Sequence, residues 1–406
     1  MSYFQYTLPN GLRIILEPTD SKVAYCGYAI NAGTRDESEA ESGMAHLVEH
    51  LLFKGTKHRK AWHILNRMEN VGGDLNAYTN KEETIVYSAF LVEHFSRAVE
   101  LLTDIVFYST YPEEELHKEV EVIIEEILSY RDSPSELIFD EFETMLFQEH
   151  PLGRDILGDE KQLKKYVSQR VLAFTNRYYR PNNMVFFVRG KLTSKRVVSV
   201  LERFTDGLTQ EIIPLHRDKP LLLPAYTKVV RKDTHQSHVM IGSRSYNYFD
   251  QKRDALYLLN NVLGGPGMNS KLNIALREKH GLVYSVESNM TSYTDAGLFS
   301  IYFGADVKDS DKCIDLIRKE LKDLRENRLS SLKLSMAKKQ LIGQIGVASD
   351  SSESLALGMG KTYLHFNKCD TFETIYKKIT SLTSVDLLSV ANEVLDEDKL
   401  FYLIYK

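Results

Sequence analysis

Apolar positions along this chain alternate between the period of two that suits strands and the three-to-four spacing that suits helices. "LRIILE" (12–17) and "KVAYCGYAIN" (22–31), after a "PNG" turn, predict strands. Residues 43–54 predict a helix, and "AWHILNRMENVGG" predicts another, stopped by Gly72 and Gly73. "DLNAYTN" and "TIVYSAFL" alternate as a strand pair, followed by helical spacing at 92–108, 113–130 and 134–148. "NMVFFVRG" (183–190) reads as a buried strand, with "SKRVVSVLERF" helical after it. The first half is therefore α+β.

The second half reruns this order. A strand pair over 226–244 leads into helices "QKRDALYLLNNVLGG" and "NSKLNIALREKHG", strands "LVYSVESNM" and "GLFSIYFGA", and helix "SDKCIDLIRKELKDL". The offset between halves is about 210 residues, far beyond solenoid repeats, and implies a duplicated domain. Pro214, Pro220 and Pro224 punctuate the stretch between. The expected division is one domain at 1–208, a linker at 209–225 and a second domain at 226–406.

Composition narrows the class. With 406 residues, the chain is too long for one core; 43% hydrophobic and 26% charged residues are ordinary for a soluble protein. A net charge of −5 with mixed signs gives no nucleic-acid footprint. No apolar run approaches the length of a membrane span. The N-terminus lacks the pattern of a signal or transit peptide, so the chain as given is expected to be cytoplasmic. Cys26, Cys313 and Cys369 lack metal-ligand spacing and are expected to be reduced thiols.

Candidate chemistry begins with a repeated tetrapeptide. "LVEH" occurs in "GMAHLVEHLLF" (43–53) and in "SAFLVEHFSR" (88–97). Four residues before the terminal histidine stands His46 in the first copy and Phe90 in the second. On a helix, His46 and His50 share a face and can point two imidazoles at one divalent ion, whereas His94 has no such partner. His46, Glu49 and His50 form H-x-x-E-H, the inverse of H-E-x-x-H. A zinc hydrolase needs a third protein ligand. Candidates lie in "PEEELHKEVEVIIEEILSYRD" (112–132), where Glu119 and Glu126 share a face and Glu125 lies on another. By themselves, two histidines at this spacing also fit an ordinary helix, and the glutamates an exposed face. The second half keeps the helix as "ALYLLNNVL", without histidines, so one half at most holds a metal.

Taken together, the residues resemble the pitrilysin-type zinc peptidases, in the branch of the mitochondrial processing peptidase and its bacterial relatives. The similarity runs from "LPNGLRI" through "AGTRDE…GMAHLVEHLLFKGT" and "GGDLNAYTNKEETIVY" to "ALREKHGLVYSV". In that family the third ligand stands 76 residues after the second histidine, a position held here by Glu126, and a further glutamate seven residues earlier is Glu119. An Arg/Tyr pair matches Arg277 and Tyr284, after a Gly-rich "LGGPGMNSKL". The resemblance implies two homologous α+β domains, each a mostly antiparallel sheet packed against helices, the first catalytic and the second not. It implies one Zn²⁺ per chain on His46, His50 and Glu126, with Glu49 activating a metal-bound water and Glu119 orienting a ligand histidine. Tyr284 would serve the oxyanion and Arg277 the substrate backbone, while Asn76 and Ala77 pair an extended, unstructured peptide. Two chains, here a homodimer, would enclose the peptide in a chamber. Two other classes fit the residues less well: an interaction subunit with a vestigial metal motif, and a metal hydrolase of small amides.

Overall fold

Ile14, Ile15 and Leu16 are consecutive and all buried, which a strand permits only when both faces of its sheet are covered. Val185–Val188 repeats the pattern in a second strand. The computed structural model describes residues 3–209, 215–232 and 234–406. Its first elements are β1 (Phe4–Thr7), β2 (Arg13–Pro18), β3 (Val23–Ile30), α1 (Met44–Leu51), α2 (Ala61–Glu69), β4 (Asp74–Thr79) and β5 (Thr84–Leu91). Then come α3 (Phe95–Phe107), α4 (Glu113–Arg131), α5 (Pro134–Leu146), α6 (Glu160–Leu163), α7 (Ser168–Tyr178), β6 (Met184–Gly190) and α8 (Ser194–Thr205). The rest are β7 (Thr227–Val230), β8 (Ser237–Arg244), α9 (Arg253–Gly264), β9 (Val283–Ser292), β10 (Gly297–Ala305) and α10 (Ser310–Glu326). They end with α11 (Ser331–Ala348), α12 (Ser352–Phe366), α13 (Phe372–Ser381), α14 (Ser384–Val394) and β11 (Phe401–Tyr405).

The architecture is α+β, with two sheets packed by helices. The first runs β1-β2-β6-β3-β5-β4 and the second β7-β11-β8-β10-β9. Apart from β1 the two orders correspond strand for strand, and each holds one parallel pair in the same place, β2 with β6 and β7 with β11. The other pairs are antiparallel.

Several expectations need correction. The strands within 226–244 do not pair with each other, because β11 inserts between β7 and β8. The helix expected over 269–281 contains a π-helical stretch at Asn273–Glu278. The second "LVEH" is not helical as a unit: Leu91 ends β5, and Val92–His94 form a 3-10 turn before α3. Helices α11 to α14 and strand β11 were not anticipated.

The compact units also depart from a single cut. One comprises Met1–Leu128, Arg154–Arg217 and Ser349–Thr371; the other comprises Ser129–Gly153, Asp218–Ala348 and Phe372–Lys406. A division at 209–225 therefore misplaces α5, which packs on β8 and β11, and α12, which packs on β2, β3 and β6. Residues 210–214 of the expected linker, including Pro214, lie outside the described residues.

In the first unit, Ile14, Leu16, Tyr28, Phe186 and Val188 face a core shared with α1 to α4, α7 and α8. Ile15, Ala29, Ile85, Val185 and Phe187 face Ala356, Met359, Tyr363 and Leu364 of α12. Gly360 permits this approach, since a Cβ there would lie 2.5 Å from the Phe187 ring. In the second unit, Ile138, Phe142 and Leu146 of α5 cover Met240, Leu298, Phe401 and Leu403. Each sheet thus borrows its second cover from the other half of the sequence. No helix among the described residues is long and apolar enough to cross a membrane.

Candidate metal centre

Helix α1 is short, and its start is held by a side chain upstream. The buried Glu37 carboxylate accepts the backbone N–H groups of Gly43 at 3.0 Å and Ala45 at 2.8 Å, satisfying donors that an N-terminus leaves open. Gly43 has φ +81°, and a Cβ there would stand 2.7 Å from the Leu157 carbonyl, so the turn into α1 needs glycine. From this start Met44, Leu47, Val48 and Leu51 enter the core. His46 and His50 come out one turn apart, with ring centroids 4.7 Å apart and planes at 69°.

Helix α4 supplies the carboxylates. It begins with Glu113, Glu114 and Glu115 in its first turn, where the helix dipole favours negative charge. Leu116, Val120, Ile123 and Ile127 bury its inner face, whereas Val122 is exposed. Glu119 and Glu126 face α1. The Glu126 Oε2 lies 3.9 Å from both His46 Nε2 and His50 Nε2. One ligand atom from each of these three residues falls within 4.8 Å of the others. A tetrahedral zinc site with bonds near 2.1 Å has ligand–ligand edges of roughly 3.4 Å, so small side-chain adjustments suffice to close on an ion. The donor set fits: two imidazoles and one carboxylate leave a fourth position open.

Protonation states agree with that fit. His46 is only 8% exposed; burial, and then the neighbouring His50 ring, bring its pKa down to about 3, keeping the imidazole neutral as a ligand must be. His50 Nδ1 lies 3.0 Å from Glu119 Oε2, and Lys54 Nζ is 2.7 Å from the other Glu119 oxygen. A buried carboxylate at Nδ1 favours the tautomer with its proton there, leaving Nε2 free towards Glu126. His46 Nδ1 is buried and has no hydrogen-bond partner among the described residues. Glu49 has its carboxyl pKa raised by burial and by Glu126, partly offset by the Thr79 hydroxyl, His50 and the Thr79 backbone N–H.

Beside α1 runs β4, an edge strand that among the described residues pairs only with β5. Asn76 is exposed and Ala77 partly so. The outward Ala77 N–H donates to Asn76 Oδ1 at 2.8 Å, and the Leu75 N–H to Asp74 Oδ1 at 2.9 Å. In the second unit, Arg277 leaves the π-helical stretch and Tyr284 stands at the start of β9, 85% exposed. The Arg277 guanidinium lies over the Tyr284 ring, 5.7 Å from its centroid. The structure thus gathers His46, Glu49, His50, Glu119 and Glu126 in one unit, and pairs Arg277 with Tyr284 in the other. His94 stands apart from the cluster, its nearest acidic partner being Glu93 at 4.0 Å.

Lys54 and Glu37 were not singled out from sequence. Lys54 follows His50 by four residues, a spacing that offered a signal; Glu37 reaches the start of α1 through the tertiary fold.

Comparison with known proteins identifies the family. Residues 13–160 match the family model of insulinase (peptidase family M16), and residues 166–341 match the peptidase M16 inactive domain. An uncharacterized zinc protease, YmxG, of Bacillus subtilis is 32% identical over 404 residues, covering 98% of this chain and 97% of its own. Another uncharacterized zinc protease, from Rickettsia felis, is 32% identical over 403 residues, with 95% and 93% covered. Among solved structures, a protease from Helicobacter pylori superposes with a TM-score of 0.92 at 24% identity, covering 100% of this chain and 99% of that one. A peptidase M16 inactive domain from Pseudomonas fluorescens gives 0.93 at 20% identity, with 100% and 98% covered; both support the fold alone. On the two family models and the full-length likeness to the Bacillus protein, the chain belongs to peptidase family M16.

Proposed function

We propose that this protein is a zinc-dependent endopeptidase of the mitochondrial processing peptidase-like branch, cutting extended, unstructured peptides. The observation that carries the reading is the convergence of His46, His50 and Glu126 within 4.8 Å, with Glu49 on the same helix turn. The relatives named zinc proteases add support. A bound Zn²⁺ would supply Lewis acidity, acidifying water and polarising the scissile carbonyl.

This chain's own residues do the rest. Glu49 takes the proton of the attacking water and delivers it to the amine nitrogen that leaves as the C–N bond breaks. Glu119 holds His50 by its Nδ1–H, so that the ring keeps one orientation. The free edge of β4 receives the peptide as an added strand, with Asn76 and Ala77 pairing its backbone; Asn76 Oδ1 must then release the Ala77 N–H. Tyr284 donates to the developing oxyanion, and Arg277 holds the substrate backbone. One chain carries half of the enclosing chamber, and a second identical chain completes it, so that Arg277 and Tyr284 of each subunit face the metal of the other.

The test separates base, ligand and partner. Glu49→Gln should retain zinc and lose peptide hydrolysis by orders of magnitude, whereas Glu126→Gln should lose zinc affinity and activity together. Normal turnover in zinc-loaded Glu49→Gln would end the assignment of the base. Mixing Glu49→Gln with Tyr284→Phe subunits should restore partial activity through one complete site in the mixed dimer. No recovery after demonstrated subunit exchange would remove the trans arrangement.

A further inference from the structure

Helix α2 uses its sides unequally. Ile64 and Met68, four residues apart, are buried in the first core, against which Leu75 and Ala77 of β4 also pack. One flank is turned to α3, where Arg67 reaches Glu100 at 2.8 Å. Helix α3 lies over β3 and β5, whereas α2 lies over β4, the edge strand. The flank of α2 away from α3 is therefore the one turned towards the sheet edge. It carries Trp62 and Leu65, three residues apart and so on one side of the helix. They are 60% and 55% exposed, and Trp62 is the only tryptophan in the sequence. Its indole is not loose: the His63 ring stacks on it with centroids 3.8 Å apart and planes at 29°. An aromatic and an aliphatic side chain thus stand together in water beside an edge whose outward Leu75 and Ala77 N–H groups meet only the side chains of Asp74 and Asn76.

We infer that Trp62 and Leu65 form a specificity subsite for a large apolar side chain of the bound peptide. The inference rests on the reading of β4 as the edge that receives the substrate. The occupant follows from the edge itself, since a row of outward backbone donors and acceptors takes an extended chain. Residues directly opposite each other on neighbouring strands point to the same face of a sheet. Leu75 and Ala77 point to the helix side, so a peptide residue across from either of them points there too, under the flank of α2. A leucine or phenylalanine at that place would cover Trp62 and Leu65 and leave water with them; alanine would not reach. Backbone pairing along β4 accepts many sequences, and this contact adds selection at one position.

The experiment digests unstructured peptides that differ by Leu or Ala at single positions, using the zinc-loaded protein and a Trp62→Ala/Leu65→Ala double variant. The wild type should favour leucine over alanine by about 10-fold in kcat/KM at one fixed distance from the cut. The double variant should lose that preference, while its kcat/KM for the alanine peptide stays within about twofold of the wild type. A second readout needs no turnover. Because Trp62 is the only tryptophan, a leucine peptide binding to zinc-loaded Glu49→Gln should shift the emission to shorter wavelength and protect it from acrylamide. Equal preference in wild type and double variant, no positional preference in the wild type, or unchanged emission at saturating peptide would each overturn the subsite. So would an emission shift produced by anionic phospholipid vesicles and not by peptide, which would make this face a membrane contact. Failure of the zinc-loaded wild type to cut any peptide would remove the peptidase reading and the subsite with it. Peptide hydrolysis with a wild-type preference in the double variant would remove the subsite alone.

Discussion

Replacing Glu119 should weaken zinc binding without dismantling the helices that carry the ligands. The carboxylate is 7% exposed and divides its oxygens between His50 Nδ1 at 3.0 Å and Lys54 Nζ at 2.7 Å. Glu119→Gln preserves volume and an oxygen that accepts the Nδ1–H, but removes the charge that makes the imidazole a better donor to an ion. Lys54 is partly exposed and can turn to water, so little stability should be lost with it. Glu119→Ala removes acceptor and charge together and frees the His50 ring to rotate. Losses of such supporting partners typically cost 10- to 100-fold in metal affinity. That is about 1.4 to 2.8 kcal/mol, with the glutamine variant expected near the lower end and the alanine variant near the upper. The assay is competition for Zn²⁺ against a chromophoric chelator at neutral pH, with circular dichroism confirming the fold. A folded Glu119→Ala that binds zinc as tightly as the wild type would refute the reasoning.

Other predictions test the surroundings of the site. His94→Ala should leave zinc content unchanged, and loss of the ion on elemental analysis would contradict the placement of the second "LVEH" outside the site. Glu83 is buried, which pushes its carboxyl up, but His365 at 3.0 Å and Lys361 at 2.5 Å outweigh burial and bring it down to about 2. The unfolded chain therefore binds this proton first, and the stabilisation, on the order of 3 kcal/mol, is complete above about pH 4.5 and lost as pH falls towards 2. Glu83→Gln should be less stable at neutral pH and flatter in that acid window by circular dichroism; an unchanged acid slope would exclude this group as the cause. Arg217 binds Asp36 through two 2.8 Å hydrogen bonds, and its Arg217→Ala variant strands a buried carboxylate; urea unfolding should show a loss of about 3–5 kcal/mol. A loss below about 1 kcal/mol would mean that water reaches Asp36.

The amino-acid sequence by itself determined whatever depends on spacing along one element. His46 and His50 share a face because any α-helix brings residues four apart together, and Glu119 and Glu126 do so because seven residues make two turns. The strand runs of β2, β3, β5, β6, β8 and β10 were legible because burial on one or both faces leaves apolar periods in the residues themselves. Tertiary structure decided which elements meet. That α1 faces α4, and so which carboxylate stands at Glu126, follows from a core assembled from distant segments. Covering helices α5 and α12 are exchanged between halves because each sheet needs both apolar faces covered, and no local period says by which segment. Strand β11 lies between β7 and β8 because pairing is chosen by shared burial and hydrogen bonding across the sheet, not by order in the chain.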